Sequence, residues 1–359
     1  MASPNRSATA ESRILFLDYL RIFAFTSVLV GHKFHGYLEA WVADPAIHAT
    51  PRALASMLLP FVHGGGAGVI VFFLVSGYII THVLQTEQTA DFLIKRFFRI
   101  YPLYVFAAVG EYTALALGGR APELSTLLLQ LTLMGDFFGA PYALNGVEWT
   151  LRVEVVFYLV MALARSLNLT TGRVQWLPHF LLGMTLLAHL AAPIPSVEIW
   201  AKGYLTIHAP FLLLGAMFYL YERKGVGLGL LLLVGALAYA NYYALIAVYQ
   251  KAWLGEHFAL LALLVFVVAF VAKDRLSASP WVLLLSDMTY AVYLFHNWLF
   301  DYVKKGLGRL GVQLLNADVQ ALLVMLLMCY AAMWIVEKPA IRLGRRVVKA
   351  VLRRKPAAA

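Results

Sequence analysis

The chain has 359 residues, of which 62% are hydrophobic and only 13% are charged, and its mean hydropathy is +0.75. Soluble domains carry about 25% charged residues, so this composition indicates a protein that crosses a membrane several times. The single cysteine, Cys329, excludes an intrachain disulfide framework and a cysteine-based metal site. The net charge of +10 does not indicate nucleic-acid binding, because the cations cluster in loops between apolar segments.

The N-terminus is short, polar and mildly basic, and the apolar run after it carries Asp18 and Arg21. A cleavable signal peptide would have an uninterrupted apolar region followed by a small-residue cleavage site. We therefore predict a cytoplasmic tail at 1–13 and a first helix that is retained.

The first apolar segment contains two further informative residues, Arg21 and His32. An arginine near the centre of a bilayer costs at least about 2.5 kcal/mol, so such residues are rare and normally functional. A spacing of eleven residues places both side chains on one helix face, roughly 16 Å apart along the axis. A fixed cation aligned with a titratable imidazole indicates a site for chemistry within the membrane.

Ten apolar segments are long enough to cross the bilayer as helices, which predicts an all-α polytopic membrane protein. The segment 124–134 is too short and is predicted to be re-entrant or interfacial. With the N-terminus inside, nineteen cations fall on the inner side and nine, including Arg152, on the outer side. This bias favours both termini in the cytoplasm. The predicted spans are 14–32, 67–85, 100–118, 148–165, 176–192, 204–221, 227–247, 257–272, 281–300 and 317–336.

The transmembrane part is predicted to be one domain, 14–340, followed by a basic cytoplasmic tail at 341–359. This tail is amphipathic, and we interpret it as an anchor on anionic lipid.

The sequence shows no internal repeat, which argues against a secondary transporter built from two related halves.

Four predicted helices carry polar side chains at a similar depth in the outer half of the membrane. These residues are His32, Ser76, Glu154 and His296. Ordinary alternatives remain: Ser76 would bond its own helix backbone, and His296 would reach the membrane interface. Spacing alone does not decide between a shared site and these alternatives.

The inner side carries the cationic sequence KRFFRIYP. It is predicted to place Lys95, Arg96 and Arg99 at the start of a helix, with Pro102 in the first turns. Paired guanidinium groups beside a helix N-terminus suit phosphate. The alternative is an ordinary positively charged cytoplasmic loop.

A metal site is not expected. His32 and His35 would share a metal on a continuing helix, but no acidic or cysteine partner lies near them in the sequence. The sequence also has no glycine-rich phosphate loop, zincin motif or nucleophile elbow. The glycine-rich HGGGAG at 63–68 is predicted to be a turn whose glycines permit close helix approach.

Six segments, taken in order, resemble the acyltransferase 3 family of integral-membrane acyltransferases. LDYLRIFAFTSVLVGH carries Arg21 and His32, and KRFFRIYP carries Arg96 and Arg99. WTLRVEVVFY resembles the family's Trp–Ser/Thr–Leu…Glu…Phe–Tyr segment. The other three are GVIVFFLVSGYII, MTYAVYLFHNW and EKPAIRL. Threonine replaces the commoner serine in two of the six, which keeps the hydroxyl.

The resemblance implies transfer of an acyl group, usually acetyl, from cytoplasmic acyl-CoA to a hydroxyl on the outer side of a bacterial cytoplasmic membrane. Acceptors in the family are mostly sugars of lipopolysaccharide, peptidoglycan or exopolysaccharide, so polysaccharide-assembly proteins are expected partners. Many members carry a fused extracytoplasmic hydrolase-like domain. This chain is expected to transfer the group directly or through a separate protein.

The same resemblance, with the placement above, assigns roles to residues. His32 would be the general base because imidazole titrates near physiological pH, and Glu154 would orient it or stabilise the imidazolium. The predicted groups are catalytic His32, Glu154 and Arg21; acyl-CoA-binding Lys95, Arg96, Arg99 and Tyr101; and supporting Asp18, Ser76, Trp149, Thr150 and His296.

Two other functions remain open at this stage. The first is acylation of a small hydroxylated metabolite. The second is a transporter or flippase in which Arg21, His32 and Glu154 relay protons or bind substrate.

Overall fold

A computed structural model of the protein describes residues 13–196 and 202–352, and this part of the chain is helical without a β-strand. The predicted N-terminal tail, apart from Arg13, and the end of the predicted C-terminal tail, from 353, lie outside the described residues. The chain divides into two compact units. One combines the residues up to Val75 with Gly255–Tyr290, and the other combines Ser76–Leu254 with the residues from Ala291 onward.

The described residues form fifteen α-helices. In chain order they are α1 (Leu15–Lys33), α2 (His35–Ala43), α3 (Ala49–Val62), α4 (Gly66–Val83), α5 (Thr89–Leu117), α6 (Leu124–Leu131), α7 (Trp149–Ser166), α8 (Leu177–Leu190), α9 (Tyr204–Glu222), α10 (Leu228–Tyr249), α11 (Phe258–Val271), α12 (Pro280–Phe295), α13 (Trp298–Arg309), α14 (Ala317–Ala332) and α15 (Lys338–Leu352).

Each of the ten apolar segments predicted to span the membrane contains a helix. Within the described residues, six helical stretches are both long and apolar enough to cross a bilayer, so the chain is a multi-pass membrane protein. The helices of the other four predicted spans do not meet both criteria. Helices α8, α11 and α12 are shorter, and α7 carries three charged side chains. The six stretches are Leu15–Lys33, Ala49–Val83, Thr89–Leu117, Tyr204–Glu222, Leu228–Tyr249 and Ala317–Ala350.

The predicted start of the third span was wrong. Helix α5 begins at Thr89, so Lys95, Arg96 and Arg99 lie about two to three turns inside it rather than in its first turn. Pro102 is in the helix interior. The positive end of the helix dipole therefore does not favour a phosphate bound at these cations, because its effect is confined to the first turn.

Arg152, which was counted among the outer cations, is not a free surface charge. Its side chain lies on the first turns of α7 and is buried, with ion pairs to two carboxylates that are themselves fully buried, Glu148 at 2.6 Å and Asp136 at 3.2 Å. Removing Arg152 from the outer set increases the cation imbalance on which the predicted orientation rests.

The basic stretch predicted as a separate tail continues the preceding helix. A π-helical turn, Met333–Glu337, joins α14 to α15, and the predicted boundary at 340/341 falls inside α15. Helix α15 packs along α5 so closely that a Cβ on Gly344 would lie 2.6 Å from Cβ of Phe98. Glycine is therefore required at this crossing.

In the first unit, the glycine-rich segment forms the predicted turn. Gly64 and Gly65 have φ values of +54° and +71°, and α4 begins at the next residue. A Cβ on Gly31 of α1 would lie 2.1 Å from the carbonyl oxygen of Val62. The prediction of a turn with close helix approach is confirmed.

In the second unit, α9 is the most buried of the membrane-length helices. It packs against α7, α8 and α10. A Cβ on Gly77 of α4 would lie 1.9 Å from the carbonyl oxygen of Leu212 on α9, so these two backbones are in direct contact. The burial of α9 explains why it is apolar on every face.

Candidate active site

The predicted residues of the first unit include a buried carboxylate on α1. Asp18 is only 1% exposed, and it accepts a hydrogen bond from Ser286 Oγ at 2.6 Å. Arg21 pairs with the same carboxylate at 3.2 Å, and Arg13 approaches it at 3.9 Å. Asp18 therefore compensates the charge of Arg21, which explains how an apolar helix tolerates that cation.

His32 lies in the last turn of α1, and its side chain is exposed. It hydrogen-bonds the backbone of Gly64, the first left-handed residue of the glycine turn. The turn therefore positions the imidazole, while its exposed surface is open to a substrate.

His35, considered with His32 as a metal pair, has a different partner. Its Nε2 lies 2.9 Å from Nδ1 of His63. The expectation that no acidic side chain lies near His35 in the sequence was wrong, because Glu39, four residues later, lies 3.4 Å from it. His63 likewise has a carboxylate neighbour, Glu256, at 3.5 Å. In the part of the chain that the structure describes, no group of three or more histidine, cysteine or acidic side chains could hold a metal ion.

In the second unit, Glu154 on α7 is held by two hydroxyl groups. Ser76 Oγ donates to Glu154 Oε1 at 2.6 Å, and Tyr158 OH donates to the same oxygen at 2.5 Å. All three residues are buried. Ser76 thus bonds a carboxylate on another helix rather than its own backbone, and the two hydroxyls fix the orientation of the Glu154 side chain.

A second group joins the start of α7 to the end of α12. The hydroxyl of Tyr293 lies 2.6 Å from Thr150 Oγ1 and donates to the carbonyl of Val147 at 3.0 Å. His296 Nδ1 lies 2.7 Å from the carbonyl oxygen of Tyr293. His296 is only 1% exposed, so it does not extend to a membrane interface.

Trp149, the first residue of α7, packs against α9. Its ring centroid lies 4.8 Å from that of His208 and 5.6 Å from that of Tyr204. His208 is buried, and its Nδ1 lies 3.0 Å from the backbone carbonyl of Tyr204. These contacts hold the start of α7 against the buried helix α9.

The predicted acyl-CoA-binding cations line a cavity of about 800 Å³ between α5 and α15. Five cationic side chains and two carboxylates face it. Two of those cations, Arg345 and Lys349, come from α15, where the sequence predicted a lipid anchor. The lining residues are Glu87, Gln88, Asp91, Lys95, Arg96, Arg99, Ile341, Arg345, Val348 and Lys349.

The three predicted cations are held in different ways. Lys95 pairs with Glu87 at 2.6 Å, and Arg99 pairs with the buried carboxylate of Glu337 at 2.5 Å. Arg96 instead lies over aromatic rings, with its Cζ 5.5 Å from the ring centroid of Phe92.

Arg96 also links the cavity to Glu154. Its Cζ lies 6.0 Å from the ring centroid of Tyr158, whose hydroxyl donates to the Glu154 carboxylate. Among the described residues, Nε of Arg96 has no hydrogen-bond partner. This guanidinium group therefore has donor capacity available for an anion.

Tyr101 is the one predicted acyl-CoA-binding residue that the structure separates from this cavity. Its ring stacks on Phe97 at 4.9 Å between centroids, and its hydroxyl donates to the carbonyl of Thr132 at 3.4 Å. Tyr101 does not line the cavity.

Sequence reasoning missed Glu111, which holds the turn before α7. Three consecutive residues there, Leu144, Asn145 and Gly146, have positive φ values of 55°, 49° and 86°. Such a conformation is unfavourable for leucine and needs support from its surroundings. The Glu111 carboxylate accepts hydrogen bonds from the amides of Leu144 and Asn145, and Asn297 Nδ2 donates to the carbonyl of Asn145 at 2.9 Å.

A shared signal could have identified several missed residues. Glu111, Arg152 and His208 are ionisable side chains inside predicted membrane spans, as Arg21 is. The rule that such residues are rare and usually functional applies to all four. The segment WTLRVEVVFY, which carries part of the family resemblance, ends on Tyr158, so a signal for this residue was present. By contrast, no simple sequence signal marks Arg345, because its role depends on a neighbouring helix.

Comparison with known proteins decides the family. The model of the acyltransferase 3 family, described as an acyltransferase domain, matches residues 14–337. The chain belongs to this family. The predicted enzyme class, an O-acyltransferase, is confirmed.

Three relatives are informative. The exopolysaccharide production protein ExoZ of Rhizobium meliloti (strain 1021) is 26% identical over 309 residues, which cover 78% of this chain and 91% of ExoZ. Nodulation protein 10 of Rhizobium leguminosarum bv. viciae is 30% identical over 173 residues, covering 40% of this chain and 42% of that protein. The O-acetyl transferase of Shigella phage Sf6 is 28% identical over 162 residues, covering 41% and 44%. No solved structure matches the chain.

Proposed function

We propose that this membrane acyltransferase moves an acyl group, most often acetyl, from cytoplasmic acyl-CoA to a hydroxyl group of an extracytoplasmic polysaccharide. The observation that carries the proposal is the cationic cavity between α5 and α15. The names of two relatives support a polysaccharide as the acceptor and acetyl as the transferred group. One relative is an exopolysaccharide production protein, and another is an O-acetyl transferase.

The cavity suits the phosphate groups of coenzyme A. Its volume of about 800 Å³ is typical of small-molecule sites, which range over about 300–1,000 Å³. Guanidinium groups form bidentate, charge-assisted hydrogen bonds with phosphate, and the cavity offers three of them, Arg96, Arg99 and Arg345. Lys95 and Lys349 add two compact charges. Glu87 and Glu337 neutralise two cations until a phosphate takes their place.

We assign the proton transfer to His32. As general base, its neutral imidazole removes the proton from the acceptor hydroxyl, and the oxygen attacks the thioester carbonyl. Collapse of the tetrahedral intermediate forms the ester and breaks the bond to sulfur, and the coenzyme A thiolate takes the proton back from the imidazolium. Arg21, held by Asp18, supplies a fixed cation on the same helix.

The residues of the second unit supply orientation. Glu154, fixed by Ser76 and Tyr158, is a buried carboxylate whose contacts continue through Tyr158 to Arg96. Trp149, Thr150 and His296 hold the first turn of α7 through packing and hydrogen bonds. We propose that this network responds to phosphate binding at Arg96 and keeps the start of α7 in place during transfer.

The proposed topology has ten spans, one transmembrane domain at 14–340 and both termini in the cytoplasm of a bacterial cell, with the protein in the cytoplasmic membrane. In this orientation the N-terminal half of α5 and the cavity face the cytoplasm, where acyl-CoA is made. The support is the excess of cations on the predicted inner side. A reporter fused after Lys355 that gives a periplasmic signal would contradict this orientation.

The decisive experiment compares two acetyl donors on the purified protein. Acetyl-CoA and S-acetylpantetheine share the thioester, but only the first carries the nucleotide phosphates. Release of free thiol is followed with and without polysaccharide. We expect KM for acetyl-CoA to be lower than KM for S-acetylpantetheine by tenfold or more, since each charge-assisted phosphate contact contributes about 1.5–3 kcal/mol to binding. Equal KM values would overturn the donor site, and absence of thiol release would favour a transporter instead.

A further inference from the structure

A second cavity, of about 480 Å³, lies at the C-terminal half of α5, away from the cationic cavity. The end of α5, α6, the turn before α7 and α13 enclose it. Its lining includes four aromatic side chains, Tyr112, Tyr142, Trp298 and Tyr302, together with carboxylates, amides and two cations. The other polar lining residues are Glu111, Arg120, Gln130, Asn145, Asp301 and Lys305.

This combination of side chains matches the chemistry of a sugar ring. A pyranose has apolar C–H faces that pack on aromatic rings and a rim of hydroxyl groups that need donors and acceptors. Tyrosine and tryptophan supply an apolar surface with a polar edge, while Asp301 and Asn145 supply hydrogen-bonding groups at the rim. A phosphate ligand would instead need a cluster of cations like the one at the other end of α5.

The wall of the cavity also contains polar groups without partners. Trp298 is 4% exposed, and its indole Nε1 has no hydrogen-bond partner among the described residues. The hydroxyl of Tyr142 is likewise buried without a partner in that part of the chain. The Tyr142 hydroxyl interacts electrostatically with Asp136, Glu148 and Arg152, which do not line the cavity. Unsatisfied buried donors are uncommon and costly in native proteins, so the indole N–H of Trp298 points to a ligand that supplies an acceptor.

The cavity adjoins the residues that fix the start of α7. Glu111 and Asn145 line the cavity. Asn145 belongs to the turn that the Glu111 carboxylate holds, and this turn is followed closely by Trp149 and Thr150 of α7. Trp298 follows His296 by two residues. Along α5, Glu111 is twelve residues beyond Arg99, which is about 18 Å. The two cavities are therefore separated along one membrane-length helix.

We propose that this cavity binds one sugar residue of the acceptor, with its ring packed on Trp298 and a ring hydroxyl bonded to the indole N–H. Asp301 and Asn145 hold further hydroxyl groups, and Lys305 and Arg120 lie at the rim. The inference deepens the proposed function, because it assigns the acceptor site of the same enzyme. In the proposed topology the cavity opens on the extracytoplasmic side, where the polysaccharide is found.

The test titrates sugars onto the full chain in lipid nanodiscs, since glycoside detergents would compete for the site. The probes are the methyl glycosides of glucose, galactose, mannose and rhamnose. Sorbitol is the control, because it has the hydroxyl groups of a hexose without a ring face. We expect at least one glycoside, and not sorbitol, to change the tryptophan fluorescence. A response to none of the glycosides, or an equal response to sorbitol, would overturn the proposal.

Substitutions locate the response. Trp298→Phe keeps a ring but removes the indole N–H, and it should abolish most of the fluorescence change. Trp176→Phe, at an exposed tryptophan outside the cavity, is the matched control and should retain it. Asp301→Asn changes an exposed rim residue with little risk to folding, and it should weaken glycoside binding by about fivefold or more. Unchanged binding in both cavity variants would rule out this site.

Two results separate this proposal from the proposed function. The fluorescence titration needs no acyl transfer, so sugar binding without transfer would contradict the enzyme function and leave the sugar site standing. Conversely, the transfer assay with polysaccharide measures KM for each substrate. Trp298→Phe and Asp301→Asn should raise KM for the acceptor about fivefold or more with little change in KM for acetyl-CoA. Transfer with an unchanged acceptor KM would contradict the sugar site alone.

Discussion

The two halves of α5 carry two cavities with opposite chemistry. Toward its N-terminus the helix and α15 surround a cavity with five cations, of which Lys95 and Arg99 already have carboxylate partners. Toward its C-terminus the helix faces aromatic rings, among them that of Trp298, whose indole N–H has no hydrogen-bond partner within the described part of the chain. One cavity suits a highly charged ligand and the other a neutral hydroxylated one.

In the function proposed above, this difference lets one helix serve two substrates on opposite sides of a membrane. At the cationic end, internal carboxylates stabilise the charges when no ligand is bound, so binding exchanges one ionic partner for another. At the aromatic end, the site is held by a rigid turn that Glu111 supports. The following predictions test this division, from the largest expected effect to the smallest.

The largest effect should arise at neither cavity. His32→Ala should lower turnover by about 10²–10⁴-fold, because the general base is lost, while acetyl-CoA and sugar affinities stay the same. His32→Gln, which cannot accept the proton, should be equally inactive. In the unmodified protein, turnover should fall as the pH drops and His32 becomes protonated. His179→Ala, at an exposed histidine on α8, is the control. Near-normal turnover in the Gln variant would show that His32 only positions the substrate.

At the aromatic end, Glu111→Gln should destabilise the turn before α7. The amide can accept one backbone N–H but cannot match a carboxylate that accepts two, so we expect the protein to lose about 1.5–3 kcal/mol of stability. Thermal unfolding followed by circular dichroism measures the loss, and KM for the acceptor should rise with it. Glu123→Gln, at an exposed position, should leave both unchanged. A shift in KM for acetyl-CoA instead would contradict the separation of the two cavities.

At the cationic end, Arg345→Ala should weaken acetyl-CoA binding by about three- to tenfold, since one charge-assisted contact is lost at a partly hydrated site. The neighbouring Arg346 does not line the cavity, so Arg346→Ala is a closely matched control. Equilibrium binding of acetyl-CoA at several salt concentrations distinguishes them. Similar losses in both variants would indicate that α15 acts through its total charge rather than through Arg345.

The smallest effect should have the opposite sign. Glu87→Gln removes a carboxylate that pairs with Lys95 in the cavity, and it should strengthen acetyl-CoA binding by about two- to fivefold. Glu123→Gln again serves as the control. The same binding assay applies, and weaker binding would show that Glu87 orients Lys95 toward the ligand instead of competing with it.

Much of the architecture could be predicted from the sequence. Long apolar segments must form helices in a membrane because backbone groups have no water to bond, so all ten predicted spans contain a helix. The family motifs also pointed to Arg21, His32, Arg96, Arg99 and Glu154, whose roles stay predictions. The glycine turn at 63–68 was predictable as well, because positive φ and close backbone contact both favour glycine.

Other features could not be read from one segment at a time. Pro102 suggested a helix start, yet α5 begins at Thr89 and accommodates it in the interior. Tyr101 shares a motif with Arg99 but contacts Phe97 and Thr132 rather than the cavity. A motif fixes the order of side chains along the helix, whereas the helices packed around it decide which face becomes a site.

The sequence by itself determined the class of protein, its helices and the side chains with unusual chemistry for a membrane, because hydropathy and charge act locally. Only the tertiary structure decided which of these meet. It brings Arg345 and Arg96 to the same cavity, bonds Ser76 to Glu154, and holds the turn before α7 with the carboxylate of Glu111. These contacts join residues far apart in the chain, and they depend on how neighbouring helices pack, which no single segment specifies.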